Sequence, residues 1–314
     1  MLFHDKNRFA NLIQGGITMK NQTRINQLLT VLLLLCVLFV CMAGTAMAAE
    51  DCAHVFADGQ CTACGVTGGY CGAEGDGTNL VWTLNDGTFA ITGTGAMADY
   101  TSSTLPWAEY CDSVTNLVIE DGVTAIGNFS FYECKYLTSV EMPDSVTSIG
   151  KSAFSKCAGL TSLDLSDNVT FIGREAFYGC TGLTSLTIPA SVTEMNNAFF
   201  GCSGLTDITI SYGVTSIHDA FNQCTGLTSI TIPDSVTSIS YAFYGCTGLE
   251  SIVVPDSVTE MDFAFVECTG LRSANIPSSV TSMDGAFYEC TGLTSVTIPD
   301  RVTSIDEAFI GCTG

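Results

Sequence analysis

Cys52, His54, Cys61 and Cys64 place four nitrogen and sulfur donors in one short stretch, in the order C-x-H, six intervening residues, C-x-x-C. Tetrahedral zinc takes such a donor set, and a segment too short to build a core can draw its folding energy from the ion. The competing chemistry is oxidation, with Cys61 and Cys64 pairing with Cys52 and Cys71 in an extracellular setting. Both readings stay open at this level: structural zinc, or disulfides instead. Cys71 and Cys111, which flank a hairpin signal, form a further candidate pair. For catalysis the inventory is thin. The His are His4, His54 and His218, and His218 stands beside Asp219; an exposed His–Asp of this kind reads as a solvated pair. No nucleophile and base are spaced for an enzyme, and no catalytic cofactor is expected.

The remaining composition narrows the class. The chain has 314 residues with 32 acidic against 10 basic, a net charge of -22. Nucleic-acid binding is disfavoured, because neutralising phosphates needs clustered cations. Eighteen Phe and ten Tyr supply enough apolar area for a packed fold rather than a disordered chain. Lys20 and Arg24 precede the apolar run Leu28 to Val40, followed by Ala46-Met47-Ala48. This reads as a signal peptide over 19–48, cleaved after Ala48, since a spanning helix needs about 20 apolar residues. Residues 1–18 read as a spurious leader upstream of a true start at Met19. Residues 49–314 keep six basic against 31 acidic residues, net -25. The expected address is secreted or cell surface, with no membrane span in the mature chain.

The elements that must carry any binding chemistry are repeats. Cys134, Cys157, Cys180, Cys202, Cys224, Cys246, Cys268, Cys290 and Cys312 follow one another at steps of 23, 23 and then 22 residues, and each has a Phe three positions earlier. A fixed period in the twenties means a solenoid, because one such unit cannot bury its apolar face alone. In the copy beginning at Cys224, Ile230 and Ile232 alternate with Ser229 and Thr231, the period-2 signature of a half-buried strand. Pro233-Asp234 ends that strand. Val236 and Ile239 return to the interior, and Ala242-Phe243 sit in a short helical or irregular turn. Stacked at about 4.8 Å per strand, nine such rungs span roughly 40 Å. The recurring Cys, in register, are expected to be buried thiols packing as small hydrophobes.

The unit L-x-x-I-x-I-P-x-S-V-T-x-I-x-x-A-F-x-x-C resembles the leucine-rich repeat of the BspA-like (Treponema pallidum type) family, found in secreted and surface proteins of anaerobic gut-type bacteria. The resemblance implies a right-handed leucine-rich repeat solenoid, β-rich with short helical or irregular return turns. A Cys-rich knuckle (49–75) and a β-hairpin N-terminal cap (76–112), turning at Asn85-Asp86-Gly87, would precede repeats over 113–314. It also implies adhesion to host proteins, glycans or other cells. The columns that would face outward from the strands are mostly hydroxyl-bearing, and Thr187, Thr209, Thr231, Val253, Asn275 and Thr297 form the candidate binding surface. The partner class is an extracellular protein or glycan. A non-catalytic binding arm of a larger secreted enzyme and a structural spacer are the alternatives. The chain stops at Cys312-Thr313-Gly314, inside a repeat, so more chain is expected beyond it.

Overall fold

The computed structural model describes residues 54–314. The leader, the signal-peptide segment and Cys52 lie outside the described residues. Two compact units are present: the described part of the first is His54, Val55 and Cys61–Gly65, and the second comprises Phe56–Gln60 and Val66–Gly314.

In chain order the first strands are β1 (Phe56–Ala57), β2 (Gln60–Cys61), β3 (Thr67–Tyr70), β4 (Leu80–Asn85), β5 (Thr88–Gly93) and β6 (Gly95–Ala96). β4 and β5 form the expected hairpin, with Asn85 opposite Thr88. Asp86 and Gly87 both take positive φ, 46° and 80°, which is what a two-residue type I′ turn requires. β5 then runs parallel to β7 (Asn116–Ile119), and β7 parallel to β9 (Ser139–Glu141). The hairpin is therefore continuous with the first repeat strands.

From there one strand column runs through β11 (Ser162–Leu163), β13 (Ser185–Ile188), β14 (Asp207–Ile210), β15 (Ser251–Ile252), β16 (Ser273–Asn275) and β17 (Ser295–Thr297). Pairing is parallel and in register, as in Leu186 opposite Ile208 and Thr187 opposite Thr209. The alternation read from sequence is the cause: Leu186, Ile188, Ile208 and Ile210 are buried, whereas Ser185, Thr187, Asp207 and Thr209 are exposed. In the copy that suggested the strand, Ile230 and Ile232 are buried as expected, but the backbone there contributes only the bridge Thr231–Val253. The strand column is thereby divided into separate sheets.

A second column forms on the return side. β8 (Val123–Ile126), β10 (Ser148–Ile149) and β12 (Phe171–Ile172) pair in parallel. The extra residue of the 23-residue copies is a Gly in this column. Gly150 N–H donates to Ile126 O at 2.8 Å, and a Cβ on Gly150 would lie 2.6 Å from the Asn128 nitrogen. Once the period falls to 22, two-residue strands give way to single bridges such as Ser216–Ser238 and Ser238–Glu260.

Of the two expected forms, helical or irregular, the turn around each Phe takes the irregular one. Nine residues two places before the Phe, from Phe129 to Glu307, have φ between 51° and 60°, and nine two places after, from Glu133 to Gly311, have φ between 56° and 78°. Most are not glycine, and each left-handed residue costs on the order of 1 kcal/mol. The pair turns peptide groups along the stack, where a helix would direct them into its own turn. Phe177 N–H accordingly reaches Ala198 O at 2.9 Å, and Gly179 N–H reaches Phe200 O at 2.8 Å, both in the following rung. Net hydrogen-bond gains of about 1 kcal/mol each offset the strain. Among the described residues the helical element is a 3₁₀ helix at Ala108–Ser113.

The core is a file of rings. Successive Phe from Phe131 to Phe309 stack with centroids 5.2 to 6.2 Å apart, and Phe89 and Trp107 extend the file beyond Phe131. Trp107 is fully buried and its indole N–H donates to Ser130 O at 2.7 Å, satisfying the polar handle that burial would otherwise strand.

The Gly of C-x-G-L is set by closeness rather than by dihedral. A Cβ on Gly226 would sit 2.5 Å from Ser203 O and 3.0 Å from Leu205 O of the preceding rung. Tyr136 fills the same slot in the first copy and is 58% exposed. Gly226→Ala is expected to lower stability by about 1–3 kcal/mol, and Tyr136→Ala to stay within about 0.5 kcal/mol of wild type. Urea unfolding of the two variants checks this; equal midpoints would show that the close approach is not limiting.

Candidate functional site

The strand face is the larger candidate. Thr187, Thr209, Thr231, Val253, Asn275 and Thr297 are all exposed, and Thr187–Thr209, Thr231–Val253 and Asn275–Thr297 are directly opposed. Asn275 does not present its amide to solvent as a free binding group. Its Nδ2 donates to Val254 O and its Oδ1 accepts from Val254 N–H, both at 2.8 Å. The side chain completes the ladder where β15 stops, so its role is in the sheet.

A depression of about 240 Å³ opens over the first strands, lined by Ser139, Ser162, Asp164, Ser185, Thr187, Asp207 and Thr209 together with Val140, Leu163 and Leu186 at its floor. It lies where the ladder lapses, since β9 belongs to one sheet and β11, β13 and β14 to the next. Of the six residues picked from sequence, Thr187 and Thr209 reach it; the other four lie on later rungs. The signal for the rest was the pair Asp164 and Asp207, acids in outward columns of which the Asp207 column is otherwise Ser and the Asp164 column is Thr in half of its copies. Hydroxyls and two exposed carboxylates offer hydrogen-bond acceptors and donors over four consecutive rungs. Polyhydroxylated or basic ligands suit this surface.

Other polar columns are spent internally. Thr138 Oγ1 donates to Thr115 O at 2.9 Å and Thr215 Oγ1 to Thr193 O at 3.1 Å, a pattern that recurs along both sides of the strand and return columns. His218 packs edge-on against Tyr241, centroids 5.7 Å apart. Asp219 Oδ1 accepts from Asn222 Nδ2 at 3.3 Å. Aromatic residues follow five of the nine core Phe, and Tyr132, Tyr178 and Tyr244 among them are half-buried.

The repeat thiols are buried, but they are not simply small hydrophobes. Cys157 Sγ donates to Phe131 O at 3.1 Å, Cys202 Sγ to Phe177 O at 3.1 Å and Cys290 Sγ to Phe265 O at 2.8 Å, so each thiol ties its rung to the Phe carbonyl of the rung before. Burial pushes the thiols of Cys157, Cys202, Cys224 and Cys268 well up and those of Cys246 and Cys290 up to about 12, which keeps them protonated and unreactive. Two expectations are corrected here. Cys134 is not a free core thiol, because it forms a disulfide with Cys111. Cys71 consequently does not pair with Cys111; it is a buried thiol whose desolvation holds it up at about 12. Cys111 stands 23 residues before Cys134, one repeat length, which brings the two side chains together at the head of the column.

The second candidate is the cluster in the first unit. Donor atoms of His54, Cys61 and Cys64 all lie within 4.8 Å of one another, and Cys64 Sγ is 3.6 Å from His54 Nδ1. Cys52, the fourth donor read from sequence, lies outside the described residues. Thr62 N–H donates to Val55 O and Gly65 N–H to Cys61 O, both at 2.9 Å, folding the C-x-x-C into a tight loop. Burial raises the Cys61 thiol, but the N–H of Cys64, the His54 ring and the N–H groups of Ala63 and Val55 outweigh it and bring it down to about 5.

Residues 108–220 and 196–314 match the family model described as the BspA type leucine rich repeat region, 6 copies. Solved structures give likenesses to bacterial proteins. A leucine rich cell surface protein from Faecalibacterium prausnitzii is 26% identical over 76% of this chain and 86% of its own, TM-score 0.39. A leucine-rich repeat protein from Bacteroides ovatus is 22% identical over 74% and 91%, TM-score 0.39. The leucine rich repeat protein of T. pallidum is 21% identical over 71% and 91%, TM-score 0.32. A search of curated proteins found no match.

Proposed function

The chain belongs to the BspA type leucine rich repeat family, and on that premise we propose that it is a secreted or cell-surface binding module whose strand face takes an extracellular protein or glycan. Repeats of this type suggest a protein-binding surface. No helix among the described residues is long and apolar enough to cross a membrane.

The observation that carries the reading is the depression over β9, β11, β13 and β14. Its lining combines hydroxyls with Asp164 and Asp207, a chemistry that hydrogen-bonds sugar hydroxyls or pairs with basic side chains. The net charge of -22 favours basic or neutral partners over anionic ones. Secretion is supported by the basic-then-apolar segment at 19–48 and by the Cys111–Cys134 disulfide, a bond that persists in oxidising compartments.

Binding of the purified chain to immobilised matrix proteins, mucins and polysaccharides tests the proposal. Wild type is expected to bind at least one of them, and Asp164→Asn with Asp207→Asn to weaken that binding about tenfold, equivalent to about 1.4 kcal/mol, with unchanged thermal unfolding. Uniform failure of the panel would sink the adhesive reading. Binding that ignores the double variant would move the site away from this groove.

A further inference from the structure

We propose that His54, Cys61 and Cys64 are three ligands of a structural zinc site. The geometry is close to that of a bound ion. With Zn–S of about 2.3 Å and Zn–N of about 2.0–2.1 Å, a tetrahedral site has sulfur-to-nitrogen edges of about 3.6 Å; the Cys64 Sγ to His54 Nδ1 separation is 3.6 Å. All three donors fall within 4.8 Å, so a small contraction of the longest edge brings them onto one ion. Their chemistry agrees, since two thiolates and an imidazole suit zinc better than oxygen-preferring calcium or magnesium.

The loop is built to hold that arrangement. The Thr62 N–H and hydroxyl both reach Val55 O, at 2.9 and 3.1 Å, which fixes the start of the C-x-x-C against the residue next to His54. Two ligands come from one turn and the third from the irregular segment at His54–Val55, with all three donor atoms close together. The stabilising chemistry is the one small segments without a core rely on, in which ion binding is folding energy.

The test uses the full chain, purified without chelators or metal-affinity steps. Elemental analysis is expected to give about one zinc per chain. Replacing it by cobalt(II) should produce a thiolate-to-cobalt charge-transfer band and the visible absorption of a tetrahedral ion. Cys61→Ser with Cys64→Ser should remove essentially all of the zinc while the circular dichroism of the solenoid is retained. If that variant does not fold, cobalt titration of wild type decides alone. Zinc-free protein whose Cys61 or Cys64 maps to a disulfide, a cobalt complex with no thiolate band, or full zinc retention in the double variant would each overturn the assignment. The readout is metal content, so failure of ligand binding by the strand face leaves it intact.

Discussion

Phe199→Ala is expected to cost about 3–5 kcal/mol, the range for removing a fully buried aromatic ring. The ring lies 5.2 Å from Phe177 and 5.9 Å from Phe221, centroid to centroid, and both neighbours are fully buried. Its removal opens a cavity that two rungs share, and the backbone there cannot collapse into it. On either side Asn197 and Gly201 hold φ of 59° and 71°, and Phe199 N–H and Gly201 N–H are bonded into the next rung at 3.0 and 2.8 Å. Solenoid stability is close to a sum of units and nearest-neighbour interfaces, so two interfaces weaken together. Urea unfolding should separate into two transitions, where wild type shows one. Phe309→Ala serves as the comparison: that ring is only half-buried and touches one neighbour, Phe287, and a clearly smaller loss is expected. Equal losses at the two positions would refute the shared-cavity account.

Removing the Cys111–Cys134 disulfide is expected to cost about 3 kcal/mol, the chain-entropy value for a loop of this length. The bond closes 23 residues that include the end of the 3₁₀ helix, β7 and β8. It joins the ring file's first members to the repeats, since Trp107 precedes Cys111 by one turn and bonds Ser130 O. The double variant Cys111→Ser, Cys134→Ser should unfold at lower urea and ignore added reductant, while wild type should fall to the same midpoint when reduced. A wild-type midpoint that reductant leaves unmoved would dispose of the prediction.

The rung was legible because its signals are side chains with one job each. Phe199 and Cys202 are buried members of columns that repeat the same residue in each rung, and Ile208 and Ile210 show their face by period 2. What stayed hidden is carried by the backbone. Glu133, Lys156, Asn197 and Gln223 occupy left-handed positions without any common chemistry that would announce it; only the glycines at some copies, Gly179 and Gly201 among them, hint at the dihedral. The thiol-to-carbonyl bonds were invisible for the same reason, because burial alone already explains a recurring Cys. Cys111 was readable as arithmetic, one repeat length before Cys134, yet Ala108 stands where a Phe should mark the rung. In the candidate site, the outward columns could be enumerated, but not the lapse between β9 and β11 that turns part of a flat face into a groove. The role of Asn275 depends on where β15 ends, which local pattern does not show.

The file of thiols has a practical consequence for watching this molecule move. Seven buried sulfhydryls, Cys157 to Cys290, are spaced one per rung and blind to alkylating reagents while their own rung is closed. Timed exposure to such a reagent, followed by peptide mass spectrometry, therefore yields an opening free energy for every rung from a single sample, with no probe introduced. Fraying from one end would mark the sulfurs in chain order. Opening at the rung that holds Thr231, where the strand column is interrupted, would mark Cys224 and Cys246 ahead of both ends.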